Sequence, residues 1–362
     1  MKTKNRNNSI KAQNDQELEF LRTEKWNLYI SSPVLEHLIK GKQIKLRSGS
    51  TFTPFANAVP CNAHCAFCSE DLVRKGEHLP TAQTLIKDYK RYFEGLKAIL
   101  NEFKGLKMGL SLSGLEATAE PKWLSELLEI LTNTDFDSIF DEKVLYTNGT
   151  GLVNFPELIL QIQKAGFERI ELSRCHDDEK INQQIMYFNK NQAVRKNEVF
   201  KSLFDNEYLK NHIKISCILT KKGINSLEKL ENYLEWVDSL GVKTVVFREM
   251  SRMDQQYDST VTYTWIEENR VEIEQLMKEI APTYSNIRKN WTYQKSTIGY
   301  YYYNEHYFWK NKIEVIIETS SYSALMQANA SGIVQKLIYH SNGNLTGDWD
   351  SNNAVIANFY EK

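Results

Sequence analysis

No stretch of this 362-residue chain holds the roughly 20 consecutive apolar residues that spanning a bilayer requires. The first 18 residues carry Lys2, Lys4, Arg6 and Lys11 without an apolar core, so no export signal is expected there. Charge of one sign is not in excess either. The 45 Lys and Arg against 46 Asp and Glu leave a formal charge of −1, which excludes a chain-wide basic field for nucleic acid or an anionic membrane. These features predict a cytoplasmic protein with no membrane partner and no nucleic-acid signal. Repeats of fixed period and low-complexity tracts are also absent. Cysteine is scarce: Cys61, Cys65, Cys68, Cys175 and Cys217 are all there are, and the first three share one short segment. A chain of this size needs no disulfide staples, so that distribution points to a metal or redox site in a reducing compartment.

What is present suits a sizeable core. Hydrophobic residues make up 41% and aromatics 12%, enough to argue against global disorder and to allow two average domains or one barrel with an added segment. From residue 52 onward, short apolar runs alternate with amphipathic stretches. Strands are expected at Phe52–Val59, Met108–Leu112, Val144–Tyr146, Arg169–Leu172, Ile213–Leu219 and Val242–Arg248. Helices are expected between them at Thr81–Phe103, Trp123–Leu131, Phe155–Ala165, within 179–205, and at Leu227–Leu240, with another over 263–280. Gly166 and Gly241 stand where helix-ending glycines belong. Six strands alternating with helices predict an α/β fold with a parallel sheet and right-handed crossovers. After Pro282 the texture changes to an aromatic-rich, β-rich segment. Lys312–Thr319 and Gly332–His340 read as strands, and Asn342-Gly343 as a hairpin turn into Leu345–Trp349. The expected organisation is a tail and helical lead-in over 1–50, an α/β unit over 51–282 and a β-rich extension over 283–362. Most rings of the extension are expected in the core, with a few near Tyr300–Tyr303 lining a site.

The segment Pro60-Cys61-Asn62-Ala63-His64-Cys65-Ala66-Phe67-Cys68 carries the strongest signal. Three thiolates spaced four and three residues apart on one loop can close round a metal cluster, and thiolate is the usual ligand of iron–sulfur centres. Three cysteines leave one iron of a cubane open to bind another molecule. Zinc held by the thiolates and His64 is the competing reading, but zinc favours well-spread tetrahedral ligands, and His64 directly beside Cys65 is placed awkwardly for that. A non-catalytic zinc or cluster module, or a redox sensor whose cluster takes a fourth ligand such as His176, remains the alternative function.

Cys61-x3-Cys65-x2-Cys68, with aromatic Phe67 before the last cysteine, resembles the signature of the radical S-adenosylmethionine superfamily. The resemblance covers about residues 52–250. It implies a partial (β/α)6 TIM-like barrel with the β-rich extension appended, and one [4Fe–4S] cluster on Cys61, Cys65 and Cys68. It further implies S-adenosylmethionine chelated at the open iron and an external electron donor such as flavodoxin or ferredoxin. The implied reaction is reductive cleavage of S-adenosylmethionine to a 5′-deoxyadenosyl radical that abstracts hydrogen from a substrate, either a peptide or a small molecule.

Further segments agree with the resemblance in order. Ser113-Gly114-Leu115-Glu116-Ala117 looks like the family's glycine-glycine-glutamate-proline segment, with Leu115 and Ala117 as departures. It makes Gly114 and Glu116 candidates for the cosubstrate's methionine end, although a turn with acidic residues at a helix start explains them equally. Thr147-Asn148-Gly149 is similar to a turn found after the third strand in that family, which adds Asn148. Ser173 and Arg174 end the fourth strand, on the ligand-facing edge of parallel α/β folds, and are candidates for ribose or carboxylate contacts, with Phe67 completing the set. Cys175 and His176 at that edge are candidate catalytic groups, as a hydrogen-atom donor and an acid or base; Cys217, mid-strand, reads as a small buried hydrophobe. The stretch from Asn225 to Phe247 also looks like part of the molybdenum-cofactor enzyme that rearranges GTP. No cysteine follows Cys217, so that enzyme's second, C-terminal cluster is not expected here.

Overall fold

The structure, a computed structural model, describes residues 8–29, 33–55, 58–69, 85–252 and 260–361. Strand β1 (Asn8–Ile10) leads into helix α1 (Asp15–Tyr29), followed by β2 (Val34–Ile39) and β3 (Lys42–Pro54). Next come α2 (Tyr89–Glu102), β4 (Met108–Leu112), α3 (Pro121–Leu131), α4 (Thr134–Asp137), β5 (Phe140–Thr147), α5 (Thr150–Asn154), α6 (Glu157–Lys164) and β6 (Arg169–Ser173). Then follow α7 (Glu179–Met186), α8 (Asn197–Ser202), α9 (Glu207–His212), β7 (Ile213–Ile218), α10 (Leu227–Ser239) and β8 (Thr244–Arg248). The chain continues through α11 (Val261–Asn269), α12 (Ile273–Ile280), β9 (Trp291–Ile298), β10 (Tyr302–Trp309) and β11 (Ile313–Ser320). It ends with α13 (Tyr322–Ala330), β12 (Ile333–Tyr339), β13 (Asn344–Thr346) and β14 (Val355–Asn358). No helix among the described residues is long and apolar enough to cross a membrane.

These strands form one sheet in the order β1-β9-β10-β11-β8-β7-β6-β5-β4-β3-β12-β13-β14, with β2 paired to β3 off that path. From β3 to β8, consecutive strands are neighbours and every pair is parallel, as the βαβ alternation predicts. The C-terminal extension adds a parallel strand at each end of this run: β11 beside β8 and β12 beside β3. Antiparallel β10 then occupies the far side of β11, and β13 that of β12. The sheet is therefore open, a partial barrel of α/β class whose two lateral edges are both taken by the extension.

Local chemistry accounts for the shifted boundaries. The first parallel strand begins at Lys42, before the expected Phe52, because Ile44 and Leu46 alternate with exposed polar residues as a half-buried strand requires. Residues 56–57 of the expected strand lie outside the described residues, as do 81–84 of the expected helix. That helix starts at Tyr89, where the Asp88 carboxylate accepts the Arg91 N–H as an N-cap. The helical stretch expected within 179–205 is broken after Met186. Tyr187 adopts a left-handed conformation (φ 44°), and this turn has a consequence for the site.

Strand alternation sorts the parallel run into two faces. Ile170, Leu172, Ile215, Cys217, Val245 and Phe247 are buried toward the helices, and the Phe247 ring meets Tyr233 of α10 edge-on at 5.7 Å. The out-of-phase residues carry charge. Arg248 donates to Glu318 at 2.8 Å and to Ser216 Oγ at 2.8 Å, and lies 2.7 Å from Glu171. Burial alone would raise the Glu171 carboxyl, but Arg248 first, then Arg169 and Lys214, hold it below its usual range.

A second buried ion pair ties the N-terminal helix to the extension. Arg22 of α1 makes a two-pronged contact with Glu305 of β10, at 2.6 and 2.8 Å, and donates to the Ala281 carbonyl at 2.9 Å. Glu305 is fully buried and also accepts from Tyr303 and Tyr307. Removing the carboxylate would strand a buried guanidinium, a change that costs about 3–5 kcal/mol. Urea denaturation of Glu305→Leu should show that loss, and Arg22→Met with Glu305→Leu together should recover much of it.

Candidate active site

The cysteine loop leaves the C-terminal end of β3, the edge of a parallel sheet where ligands bind. Within the loop, Cys68 N–H closes a turn on the Cys65 carbonyl at 2.9 Å. The loop's position is borrowed. Ala66 N–H donates to the Ile185 carbonyl and His64 N–H to that of Tyr187, at 2.9 and 3.0 Å, while Asn189 N–H donates to the Asn62 carbonyl at 3.1 Å. The left-handed Tyr187 turns the chain so that Phe188 can bridge to Ala63. His64 is exposed, whereas the Cys61, Cys65 and Cys68 side chains are half-buried on the loop and form no disulfide.

A closed ring of side-chain hydrogen bonds joins this loop to the turn after β5. Asn62 Nδ2 donates to Thr150 Oγ1 at 2.6 Å, and Thr150 Oγ1 donates to Asn148 Oδ1 at 2.7 Å. Asn148 Nδ2 closes the ring on Asn62 Oδ1 at 2.9 Å and also reaches Cys61 Sγ at 3.8 Å. Behind the ring, buried Glu116 accepts from the Asn148 N–H at 2.6 Å, Thr147 Oγ1 at 2.7 Å and both the N–H and hydroxyl of Thr118. Burial raises the Glu116 carboxyl, and these donors, Asn148 N–H foremost, oppose that shift. Glu116 thus turns its carboxylate onto the protein and braces the turn.

Two glycines permit this packing. Gly114 sits at φ +123°, and an added Cβ there would lie 2.8 Å from the Phe55 ring. At Gly151 a Cβ would lie 2.1 Å from the backbone oxygen of Thr118. Phe55 is in turn held by the extension, with His340 at 5.7 Å and Trp349 at 5.5 Å between ring centroids.

The other sequence-derived candidates are dispersed. The Phe67 ring is half-buried, 6.5 Å from that of Trp265 on α11. Ser173 continues the inward alternation of Glu171, so it shares the face of the Arg248 network. Arg174 is one residue out of phase and fully buried among the helices. Its guanidinium donates to the Val194 and Arg195 carbonyls at 3.3 and 3.4 Å and lies 4.8 Å from the Phe200 ring centroid. Cys175 is buried and burial pushes its thiol up to about 12, so it is a neutral thiol at physiological pH. His176 accepts the Asp178 N–H on Nδ1 at 2.9 Å, a role of neutral imidazole, and burial lowers it from its ordinary value. Cys217 is buried, and its Sγ lies 3.5 Å from the Cys175 carbonyl.

Asn62, Thr118, Thr150 and Gly151 were not among the sequence-derived site residues. The signal for them was partial: Asn62 abuts Cys61, and Thr150 directly follows the Thr-Asn-Gly turn, but only the fold brings the two segments together. Among the described residues, no group of three or more His, Cys, Asp or Glu side chains is gathered as for a single metal ion. A cubane's thiolates stand round the cluster on separate irons, so convergence on one point is not the geometry that three such ligands need. The donor set of three thiols, on a loop with its own turn and a neighbouring N–H donor, fits an iron–sulfur cluster.

No family model matches the chain, and no curated protein matches it. Solved structures do. Native anSMEcpe with bound AdoMet is 14% identical, with 86% of this chain and 78% of that one covered at a TM-score of 0.50. The same protein with AdoMet and the Cp18Cys peptide is 15% identical over the same shares, also at 0.50. Streptococcus suis SuiB bound to the precursor peptide SuiA is 14% identical at a TM-score of 0.48, and this chain, 88% covered, spans only 64% of its length. The likeness to anSMEcpe shows the fold alone.

Two outcomes test the site's construction. Gly151→Ala should destabilise the protein by about 1–3 kcal/mol, read by urea denaturation, because the added methyl meets backbone rather than a side chain that can turn away. His340 is buried and its imidazole is pushed down to about 4. The unfolded chain takes up that proton below the ordinary range near 6.5, so the stability His340 contributes is whole above it and declines as pH falls toward 4. Between pH 6.5 and 5 the native protein should lose about 2 kcal/mol more than His340→Gln.

Proposed function

We propose that this chain is a radical S-adenosylmethionine enzyme that binds one [4Fe–4S] cluster through Cys61, Cys65 and Cys68. The observation that carries the reading is the three-cysteine loop at the C-terminal end of the first parallel strand, keyed by Asn62 and Cys61 to the turn after β5. The fold shared with anSMEcpe, solved with AdoMet bound, supports it. When bound, the cluster supplies the electron that cleaves the sulfonium of S-adenosylmethionine and so yields the hydrogen-abstracting 5′-deoxyadenosyl radical. An external one-electron donor of flavodoxin or ferredoxin type is required for each reduction.

The chain's own residues orient the partners and limit water. Glu116 holds the Asn148 turn, and Gly114 and Phe55 shape the floor beside it. Ser173, on the inner face, is the remaining polar candidate at that end of β6 for the cosubstrate's ribose. Across the sheet, Tyr301 stands by Glu318 and Arg248 and Tyr302 by Glu318, and burial first, then the Glu318 charge, keeps both phenols protonated. These rings form a wall on which a substrate can be held away from solvent. anSMEcpe is also solved with a peptide bound, which makes a peptide the first substrate class to test, ahead of small molecules.

Anaerobic reconstitution with iron and sulfide should produce cubane absorbance near four irons per chain, and dithionite with S-adenosylmethionine should then release 5′-deoxyadenosine. Replacing Cys61, Cys65 or Cys68 by Ala should abolish both signals, while Cys217→Ala should keep them. A protein that purifies with one zinc and no iron, or that loads a cubane yet releases no 5′-deoxyadenosine, would sink the proposal.

A further inference from the structure

We infer that Asn148 is a positioning residue that sets the reduction potential of the cluster by donating an N–H to the Cys61 thiolate. The inference rests on the cluster reading above and concerns a residue that reading leaves without a role in the chemistry. Its basis is the polarity of the hydrogen-bond ring. An asparagine amide can face either way, so a contact from its nitrogen means little unless something fixes the orientation. Here the orientation is fixed from both ends. Asn148 Oδ1 receives the Thr150 N–H at 3.0 Å and the Thr150 hydroxyl at 2.7 Å. The Thr150 hydroxyl is free to donate to it because the same oxygen accepts from Asn62 Nδ2 at 2.6 Å. Asn62 Oδ1 is then left to accept, and Asn148 Nδ2 supplies that bond at 2.9 Å. Reversing the Asn148 amide would set its oxygen against Asn62 Oδ1 and its nitrogen against the Thr150 N–H.

The amide nitrogen carries two protons. One is used by Asn62, and the other is left for Cys61 Sγ, 3.8 Å away, within the range of a hydrogen bond to sulfur. The donor cannot easily swing off. Asn148 is only 7% exposed, its own N–H is held by Glu116 at 2.6 Å, and Gly149 behind it would meet Leu172 if it carried a Cβ. Hydrogen bonds to cluster sulfurs and the polarity around them tune iron–sulfur potentials. One-electron reduction adds negative charge to the cluster and its thiolates, so a donor aimed at Cys61 stabilises the reduced form and raises the potential.

The test is EPR-monitored redox titration of the reconstituted full chain without S-adenosylmethionine, so that turnover plays no part. Asn148→Leu removes the donor without adding charge. Its reduced-to-oxidised ratio at a given potential should fall about tenfold, a shift of 59 mV to the negative for one electron. Asn148→Asp keeps the Oδ1 acceptor for Thr150 and replaces the donor with a charge, so it should shift further the same way. It also carries the test if the leucine variant does not load iron. Thr150→Val, which frees the amide to turn, should give a smaller shift of the same sign. Deuterium exchange should move the Fe–S stretching bands of the native cluster further than those of either Asn148 variant. Full iron loading with an unchanged potential in the Asn148 variants overturns the inference while leaving the cluster reading intact. Failure of the native chain to form a cubane overturns both.

Discussion

The arrangement at the candidate site depends on one constraint: a loop without regular secondary structure must hold three thiols still. Loops satisfy few of their own backbone groups, so their geometry is set by what they can borrow. This one borrows from two directions. Backbone bonds to Ile185, Tyr187 and Asn189 fasten it to the end of α7, and the Asn62–Thr150–Asn148 ring fastens it to the end of β5. Every donor in the ring has an acceptor, so the network has one polarity rather than several. Satisfied buried networks of this kind specify a single arrangement, whereas half-satisfied ones are costly. Glu116 extends that order one layer deeper by collecting donors from Thr118, Thr147 and Asn148.

The open sheet follows from where the C-terminal extension goes. β11 and β12 lengthen the parallel run at opposite ends, but each is covered on its outer side by an antiparallel partner, β10 or β13. The extension thereby moves the open edges from the parallel run out to the short strands β1 and β14. It also supplies walls on both sides of the interior: Glu318 and Tyr301 next to Arg248 on one side, and His340 and Trp349 against Phe55 on the other. Arg22 and Glu305 lock the N-terminal helix to this extension, so both chain ends brace the same scaffold.

Inside that scaffold, the position of each side chain is decided by strand phase. Glu171 and Arg174 are three residues apart and equally polar, yet one faces the Arg248 network and the other is buried among helices α7 and α8 and the segment between them. Placing a charged residue at the C-terminal end of a strand is therefore not enough to aim it at a ligand; the period of two must also point it inward. Ser173 meets that condition and Arg174 does not.

The amino-acid sequence by itself determined the α/β class, the succession of six parallel strands from β3 to β8 along the chain, and the cysteine loop, because these rest on periodicity and on residues close together in the chain. It also marked Cys217 as core and His64 as a loop residue, since local context decides both. Tertiary structure alone decided what the loop leans on. Asn62 and Thr150 meet across 88 residues, and Glu116 and Asn148 across 32, so no local pattern reports that they form one network. Where β11 and β12 insert is likewise a matter of which edges remain open once the six inner strands have paired. Residue types and spacing name the chemistry a chain can host; only packing and strand phase decide which of those residues face it.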